Sequence, residues 1–253
     1  MSLAQGTEIL GALVGRELRV RYKGSALGVL WAVLSPLGFV AILSLLFTRF
    51  MPLNIPDYAA FVYSGLLPWT WFDATLHAGC VTLLDNRDLV RKPFFPRAVL
   101  PAVVASSQFV LYLLALPVLL ALVLAHGRAP RETLLLLPAI WLVEGALAVA
   151  FATLLATLGV VIRDVQHLLG MGLMLWFYLT PVFYERGRVA GRGARWLLWN
   201  PMTIVVESHR AVVFEGRAPD WLALAAVAAF AALLLGFSLT LFRGLEHLLI
   251  EEV

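Results

Sequence analysis

The chain has 253 residues, of which 61% are hydrophobic and only 14% are charged, and its mean hydropathy is +0.89. Soluble domains average about half apolar and a quarter charged residues, so this composition excludes an ordinary soluble domain and predicts an integral membrane protein. The net charge of +3 comes from cations in loops and at the ends of apolar segments. They form no continuous basic face, so the pattern excludes nucleic acid as a partner and favours membrane lipid head groups.

The N-terminal segment, residues 3 to 21, carries apolar residues at helical spacing and predicts an amphipathic helix along the inner membrane surface. Its end and the next residues hold four cations just before the first long apolar run: Arg16, Arg19, Arg21 and Lys23. Positive charge beside a first span marks the cytoplasmic side, so the N-terminus is predicted to be cytoplasmic. No small-residue cleavage site follows a short apolar core, which predicts that the first span is retained.

Six apolar segments approach or exceed the ~20 residues that a helix needs to cross the hydrocarbon core. They are 28 to 48, 59 to 84, 99 to 125, 133 to 161, 168 to 184 and 221 to 242. The predicted fold class is an all-α integral membrane protein with one transmembrane domain over residues 1–253, preceded at 1–26 by the interface helix. An even number of spans also predicts a cytoplasmic C-terminus.

The distribution of cations tests this topology. The segments assigned to the inside hold ten Lys and Arg residues and those assigned to the outside hold nine, which is no bias. Six of the outside cations lie in one segment, 185–220, and without it the count is ten against three. The orientation therefore depends on treating 185–220 as an exception in a protein that its first spans orient.

That outer segment is too short and too interrupted to cross the membrane. Trp196 and Trp199 precede Asn200-Pro201, which breaks the helical pattern, and an apolar run follows that carries Glu207 and Arg210. The pattern predicts re-entrant or interfacial helices broken at Asn200-Pro201, which survive at membrane depth only when buried in protein or beside a wet cavity. The alternative is an amphipathic hairpin that lies flat on the outer leaflet.

Several kinds of chemistry are missing from the sequence. Neither lysine is followed by Ser or Thr, so the chain has no P-loop and any ATPase must be another subunit. The five histidines are scattered and predict no metal site, and the one cysteine, Cys80, excludes an internal disulfide. Glu144, in the middle of the fourth span, is interpreted as a packing residue that is hydrogen-bonded to Ser106, Ser107 or Gln108 rather than as a substrate contact.

The inner loop at 85–98 mixes both signs of charge with two aromatic rings and is stiffened by prolines. Such a loop is able to present a short helix that docks into a cleft on a cytosolic partner. The candidate docking residues are Asp85, Arg87, Asp88, Arg91, Lys92, Phe94, Phe95 and Arg97. The alternative is a basic anchor that only sets topology.

Aromatic residues are frequent in and near the predicted spans. An interfacial aromatic belt explains many of them. The other interpretation is that some line a pathway and offer flat apolar faces with polar tips on which sugar rings stack and slide. The candidates are Trp31, Trp69, Trp71, Phe72, Trp176, Tyr178 and Tyr184.

Four blocks of the sequence resemble the membrane subunits of type-2 ABC exporters, which move lipid-linked polysaccharides such as O-antigen, capsule and teichoic acid. The first block is the basic helix that enters span one at Gly28-Val29-Leu30-Trp31. The others are Ser64 to Trp69, the segment from Leu89 to Pro101, and Asn200-Pro201-Met202 through Arg210. They occur in the family's order and cover nearly the whole chain.

The resemblance implies a homodimer of six-span subunits in the bacterial cytoplasmic membrane, joined to two separate nucleotide-binding subunits that carry ATP and Mg²⁺. Residues 85–97 and the N-terminal helix would transmit ATP hydrolysis, and Arg16, Arg19, Arg21 and Lys23 would receive the anionic head of the lipid-linked substrate. This chain would then be a permease rather than an enzyme and would bind no cofactor itself. The alternatives are an exporter of drugs or lipids and a membrane enzyme that acts on lipid-linked sugars.

Overall fold

The computed structural model describes residues 3–21, 23–25, 27–93, 95–127, 132–162, 164–188 and 192–252. Within these ranges the chain is built from helices and short connections and contains no strand. The helices, in chain order, are α1 (Leu3–Arg21), α2 (Trp31–Leu45), α3 (Tyr58–Asp85), α4 (Arg87–Val90), α5 (Leu100–Ala125), α6 (Leu137–Val161), α7 (Val165–Tyr178), α8 (Arg192–Trp199), α9 (Pro201–Arg210), α10 (Trp221–Gly244) and α11 (Glu246–Glu252).

The long helices run up and down between two ends of the bundle. At one end the start of α3 meets α9, where Phe61 packs against Arg210, and we call this the Arg210 end. At the opposite end the chain between α3 and α5 meets the start of α11, where Arg97 contacts Glu246, and we call this the Arg97 end. The 28 residues of α3 separate the two ends by about 42 Å, at ~1.5 Å per residue.

Four of the six predicted spans have both the length and the apolarity to cross a membrane: Gly28–Phe50, Arg97–Ala125, Glu132–Val161 and Trp221–Gly244. The second predicted span, α3, has 28 residues but is not among these four, because polar side chains such as Thr70, Asp73 and His77 interrupt it.

The fifth predicted span, 168 to 184, is helical only as far as Tyr178. Its helix, α7, has 14 residues, about 21 Å at ~1.5 Å per residue, against a hydrocarbon core of ~30 Å. The chain leaves the helix after Tyr178 and turns through Thr180 and Pro181, a boundary that the apolar composition of this stretch conceals. Proline disfavours helix for the residue before it, which explains where α7 ends.

Helix α3 forms the centre of the bundle and packs against α2, α5, α6, α7 and α9. Its contact with α6 is unusually close, because two glycines remove the side chains that would hold the helices apart. A Cβ on Gly79 would lie 2.7 Å from the Cβ of Ala152, and one on Gly159 would lie 2.5 Å from the carbonyl oxygen of Cys80. Small residues allow this approach, and membrane helices gain most of their association energy from such packing.

Replacing Gly159 by alanine tests this contact. The added methyl group meets backbone rather than a flexible side chain, so the helices must shift, and we expect a loss of about 1–3 kcal/mol in the free energy of unfolding. The measurement is the melting temperature of the detergent-solubilised protein. Gly236→Ala on α10 is the control: its Cβ meets nothing within 4 Å, and we expect an unchanged or slightly higher melting temperature. Equal melting of the two variants would contradict the close contact.

Candidate functional site

A lateral groove of about 430 Å³ lies between α2, α3 and α7 and is the main candidate for a transport surface. Its walls combine aromatic rings with polar groups at mid-bundle. The groove residues are Ser35, Pro36 and Phe39 from α2, Leu66, Trp69, Thr70 and Asp73 from α3, and Gly170, Leu173, Met174, Phe177 and Tyr178 from α7. A polar group here would be costly beside lipid tails, so the composition favours a face that meets water, protein or a polar ligand.

The polar centre of the groove is Asp73. This residue lies near the middle of α3, and its side chain is 34% exposed and stands 3.9 Å from the imidazole of His77. Thr70 lies one turn away and donates its hydroxyl to the carbonyl of Leu67. Polar groups therefore line the groove at half depth.

The structure divides the predicted pathway aromatics into two groups. Trp69 and Tyr178 line the lateral groove, and Trp31 and Trp71 line a smaller adjoining cavity of about 160 Å³. The others lie away from both: Phe72 is buried, Trp176 lines a separate pocket beside α6, and Tyr184 packs on Phe183. Spacing along the sequence did not separate these groups, because neighbouring residues on one helix face different partners.

Trp71 and Trp176 each make a hydrogen bond that holds two elements together. The indole of Trp71 donates to the carbonyl of Ala105 on α5 at 3.0 Å. That of Trp176 donates to the side-chain oxygen of Asn200 at 2.8 Å. Buried tryptophans usually need such a partner for the indole N–H, and here the partners tie α3 to α5 and α7 to the start of α9.

Asn200 organises the connection between α8 and α9. Its side-chain oxygen also accepts from the backbone N–H of Met202, which caps α9, and its amide donates to Leu179 and Thr180 at the end of α7. Pro201 occupies the first helical position, where a missing N–H costs nothing. The predicted helix break at Asn200-Pro201 is confirmed, and the same residue fastens the short helices to α7.

Arg210 is held in the interior near the end of α7. Its Nη2 donates to the carbonyls of Pro181 and Val182 at 3.0 and 2.8 Å, and its guanidinium carbon lies 3.8 Å from the ring centroid of Phe61. Gly65 makes this possible, because a Cβ there would lie 2.6 Å from Nη2. Burial lowers the pKa of Arg210 to about 10, so the side chain remains a cation at neutral pH.

A hydrogen-bonded row that the sequence did not reveal crosses the bundle beside Arg210. His209 Nδ1 lies 2.7 Å from the carbonyl oxygen of Ser64, so this nitrogen carries the proton. His209 Nε2 then accepts from the hydroxyl of Tyr112 at 2.7 Å, and that hydroxyl accepts from the indole of Trp141 at 2.9 Å. Burial lowers the pKa of His209 to about 4, which keeps the ring neutral and the row intact at physiological pH.

The predicted hydrogen bonds of Glu144 are wrong. The side chain is fully buried, and neither carboxylate oxygen has a hydrogen-bond partner. Ser107, one of the expected partners, instead donates to the carbonyl of Val104 on its own helix. A serine hydroxyl in a helix readily donates to a carbonyl in the preceding turn of its own helix. This bond competes with one to a neighbouring helix, and the spacing of residues along the sequence does not show which bond forms.

At the Arg97 end, the docking candidates separate into an exposed row and two inward residues. The exposed side chains are Asp85, Arg87, Asp88, Arg91 and Lys92. Phe95 packs against the buried cluster of Leu83, Val90, Leu100, Phe242 and Leu249. Phe94 lies outside the described residues.

Arg97 is turned into the protein and joins the loop to the C-terminal helix. Its Nε donates to the carbonyl of Val90 at 2.6 Å, and its Nη1 donates to Glu246 at 2.6 Å. The side chain is 13% exposed, so this ion pair is better shielded from solvent than a surface pair. Arg97 therefore sets the position of the exposed charges rather than standing among them.

The N-terminal helix reaches the same loop. Arg16 Nη1 donates to the side-chain oxygen of Asn86 at 3.2 Å, and the Asn86 amide donates to the carbonyl of Thr82. Arg19 and Lys23 are exposed, and the side chain of Arg21 lies outside the described part. The structure thus brings the predicted head-group cations and the predicted docking loop to one end of the bundle.

The fold defines a helical membrane protein of several spans, with a groove whose mostly apolar wall carries a few polar groups. The described residues bring no group of three His, Cys, Asp or Glu side chains together for a metal ion. Residues 8–214 match the ABC-2 type transporter family. The chain belongs to this family and is a transporter subunit that works with an ABC ATPase, not an enzyme.

Curated relatives agree with the family. The chain is 37% identical to the O-antigen export system permease protein RfbA of Myxococcus xanthus, over 99% of this chain and 97% of that protein. It is 28% identical to the protein of that name from Klebsiella pneumoniae, over 83% and 81%. It is 25% identical to the polysialic acid transport protein KpsM of Escherichia coli, over 95% of both chains.

Charge reversal tests the positioning role of Arg97. Arg97→Glu places two carboxylates where an ion pair stood, so we expect a lower melting temperature and weaker co-purification with the partner ATPase. Adding Glu246→Arg restores an opposite-charge pair and should recover most of both properties.

Arg91→Glu is the matched comparison, because Arg91 is exposed on the same loop. It should weaken co-purification without lowering the melting temperature, and Glu246→Arg should not rescue it. If Glu246→Arg fails to rescue Arg97→Glu, the positioning role of this pair is refuted.

Proposed function

We propose that this chain is the channel-forming permease of an ABC exporter that moves a lipid-linked polysaccharide, of the O-antigen type, across the bacterial inner membrane. Two copies form the membrane unit, and two separate ATPase subunits bind ATP and Mg²⁺. The names of three relatives that align along most of the chain, two O-antigen export permeases and a polysialic acid transport protein, support this substrate class.

The observation that carries the proposal is the lateral groove. Exporting a polysaccharide requires a surface that many sugar units pass without being trapped, and aromatic faces with polar tips provide weak, repeated contacts. Phe177 and Tyr178 supply such faces, and Asp73 and Thr70 supply hydrogen-bonding groups beside them. A pathway for small apolar drugs would not need this polar row at half depth.

A second copy of the chain would complete the pathway. The outward faces of α2 and α7, on either side of the groove, keep large apolar side chains exposed, among them Trp31, Ile42, Met171, Met174 and Leu175. Only 6% of the most apolar stretch of the first span, Gly28–Phe50, is buried within the chain. Two grooves that face each other across a homodimer would enclose a passage whose polar groups are shielded from lipid.

The Arg97 end is the cytoplasmic end in this proposal, and both termini are cytoplasmic. The exposed charges from Asp85 to Lys92 contact the ATPase, and Arg16, Arg19, Arg21 and Lys23 receive the phosphate-bearing head of the lipid anchor from the inner leaflet. All six predicted spans are retained, with α7 completed across the membrane by residues 179–184. The short helices between α7 and α10 form the outer, re-entrant part.

Deleting the gene and restoring it on a plasmid tests the function. We expect the deletion strain to lose surface polysaccharide and to accumulate lipid-linked polymer inside the cell, because synthesis continues while export stops. Immunoblots of surface polymer and analysis of lipid-linked polymer in inner-membrane extracts provide the measurement. Normal surface polysaccharide in the deletion strain would exclude this function.

Tyr178→Ala tests the groove itself. This ring is 54% exposed and lies 5.5 Å from Phe177 in the groove wall, so its removal should lower export about five- to tenfold while the protein still assembles with its ATPase. Pulse–chase labelling of surface polymer measures the export rate. Phe237→Ala, an exposed ring on α10 outside the groove, is the control and should export normally. Equal export rates in both variants would show that this ring of the groove has no role in transport.

A further inference from the structure

A second cavity, of about 530 Å³, opens at the Arg210 end between the α2–α3 connection, the segment after α7, and α9. We call it the Arg210 cavity. Its volume falls within the ~300–1,000 Å³ range of small-molecule sites. Charged side chains dominate its wall: Glu185, Arg186, Glu207, Arg210, Glu215 and Arg217.

The charges are arranged as pairs around the rim. Arg186 bonds Glu207 at 3.0 Å, and the Arg217 guanidinium bonds Glu215. These side chains are 25–60% exposed, so a ligand that enters the cavity can reach them. Each pair presents donors and acceptors side by side, the pattern that complements two neighbouring hydroxyl groups.

Arg210 lies at the floor of the cavity and is 4% exposed. Two of its hydrogen bonds go to backbone carbonyls, and its Nε has no hydrogen-bond partner. A buried donor without a partner costs about 1–3 kcal/mol, a cost that a ligand oxygen would remove. Burial also raises the pKa of Glu207 above its usual range, because the cavity wall partly shields this carboxylate from water.

The charge balance of the cavity selects the kind of ligand. Its three guanidinium groups and three carboxylates sum to no formal charge, so the cavity attracts neither an anion nor a cation strongly. It does offer many directed donors and acceptors. A neutral, polyhydroxylated molecule fits this surface, because each hydroxyl group both donates and accepts.

A continuous series of aromatic rings joins the lateral groove to this cavity. Starting from Trp69 in the groove, successive rings have centroids 5.5–6.3 Å apart through Phe177, Phe183, Phe47, Tyr58, Phe61 and Phe214. The last two rings line the Arg210 cavity. Most of these rings are buried in the core, so the groove and the cavity border the same packed aromatic cluster.

We propose that the Arg210 cavity is an exit-side sugar site, which binds one or two neutral sugar residues of the polymer as they leave the groove. This inference rests on the proposed function and assigns a polar binding step to the outer end of the same pathway. The pairs Arg186–Glu207 and Arg217–Glu215 bond sugar hydroxyls, and Arg210 donates from the floor.

Saturation-transfer NMR on the complete transporter in nanodiscs tests the site. The probes are methyl α-mannoside, methyl β-galactoside, N-acetylglucosamine and rhamnose, with glucuronate and inorganic phosphate as anionic probes. We expect at least one neutral sugar to bind, and Glu207→Gln and Glu215→Gln each to weaken that binding about tenfold. Using two variants guards against one that fails to assemble.

Glu132→Gln is the control, because Glu132 is an exposed carboxylate at the same end and does not line the cavity. It should bind sugar like the unchanged protein. Binding of glucuronate or phosphate in place of every neutral sugar would overturn the assignment of ligand class. Sugar binding that neither cavity variant weakens, or no sugar binding at all, would overturn the site.

Export by the unchanged gene, read beside sugar binding by the cavity variants, distinguishes this inference from the proposed function. If the unchanged gene restores surface polysaccharide to the deletion strain but the cavity variants bind sugar normally, only the exit-side site fails. If the unchanged gene restores none, the proposed function fails, whatever the sugar titrations show.

Discussion

The structure depends on the close contact between α3 and α6. Helices in a bilayer gain little from apolar burial against one another, since lipid is equally apolar, so their association depends on how closely the backbones approach. Gly79 and Gly159 let α3 and α6 meet at backbone distance. With α3 fixed at the centre, α2 and α7 are positioned beside it to form the groove, and α9 packs on α3 at the Arg210 end.

The two ends of the bundle are held by one arginine each, in different ways. Arg97 is partly buried and its charge is met by Glu246, so it joins the loop after α3 to α11 through an ion pair. Arg210 is buried and is held by backbone carbonyls after the C-terminus of α7 and by an aromatic face. Carbonyls near a helix C-terminus carry partial negative charge, and together with the nearby carboxylates of Glu207 and Glu215 they stabilise the buried cation.

Polar groups inside the bundle are mostly satisfied by specific partners. The row from Trp141 through Tyr112 and His209 to Ser64 uses each donor once and joins α6, α5, α9 and α3. Asn200 does the same at the end of α7. Such networks favour one arrangement of helices over others of similar apolar packing, since any shift leaves a buried donor unpaired.

Much of the helical framework followed from composition and spacing along the sequence. Long apolar segments predicted the helices at Gly28–Phe50, Arg97–Ala125, Glu132–Val161 and Trp221–Gly244, and Asn200-Pro201 predicted the break before α9, because length, apolarity and proline act locally. The end of α7 was misplaced, since apolar turn residues resemble a continuing span.

The sequence by itself determined that this is a helical membrane protein, with charged residues concentrated in its loops and N-terminal segment and apolar residues in its long helices. Only the tertiary structure decided which side chains meet: that Tyr178 is exposed in the groove while Phe72 is buried, that Arg97 turns inward to Glu246, and that Gly65 makes room for Arg210. These are contacts between residues far apart in the chain. They depend on helix rotation and close approach, which hydropathy and spacing do not specify.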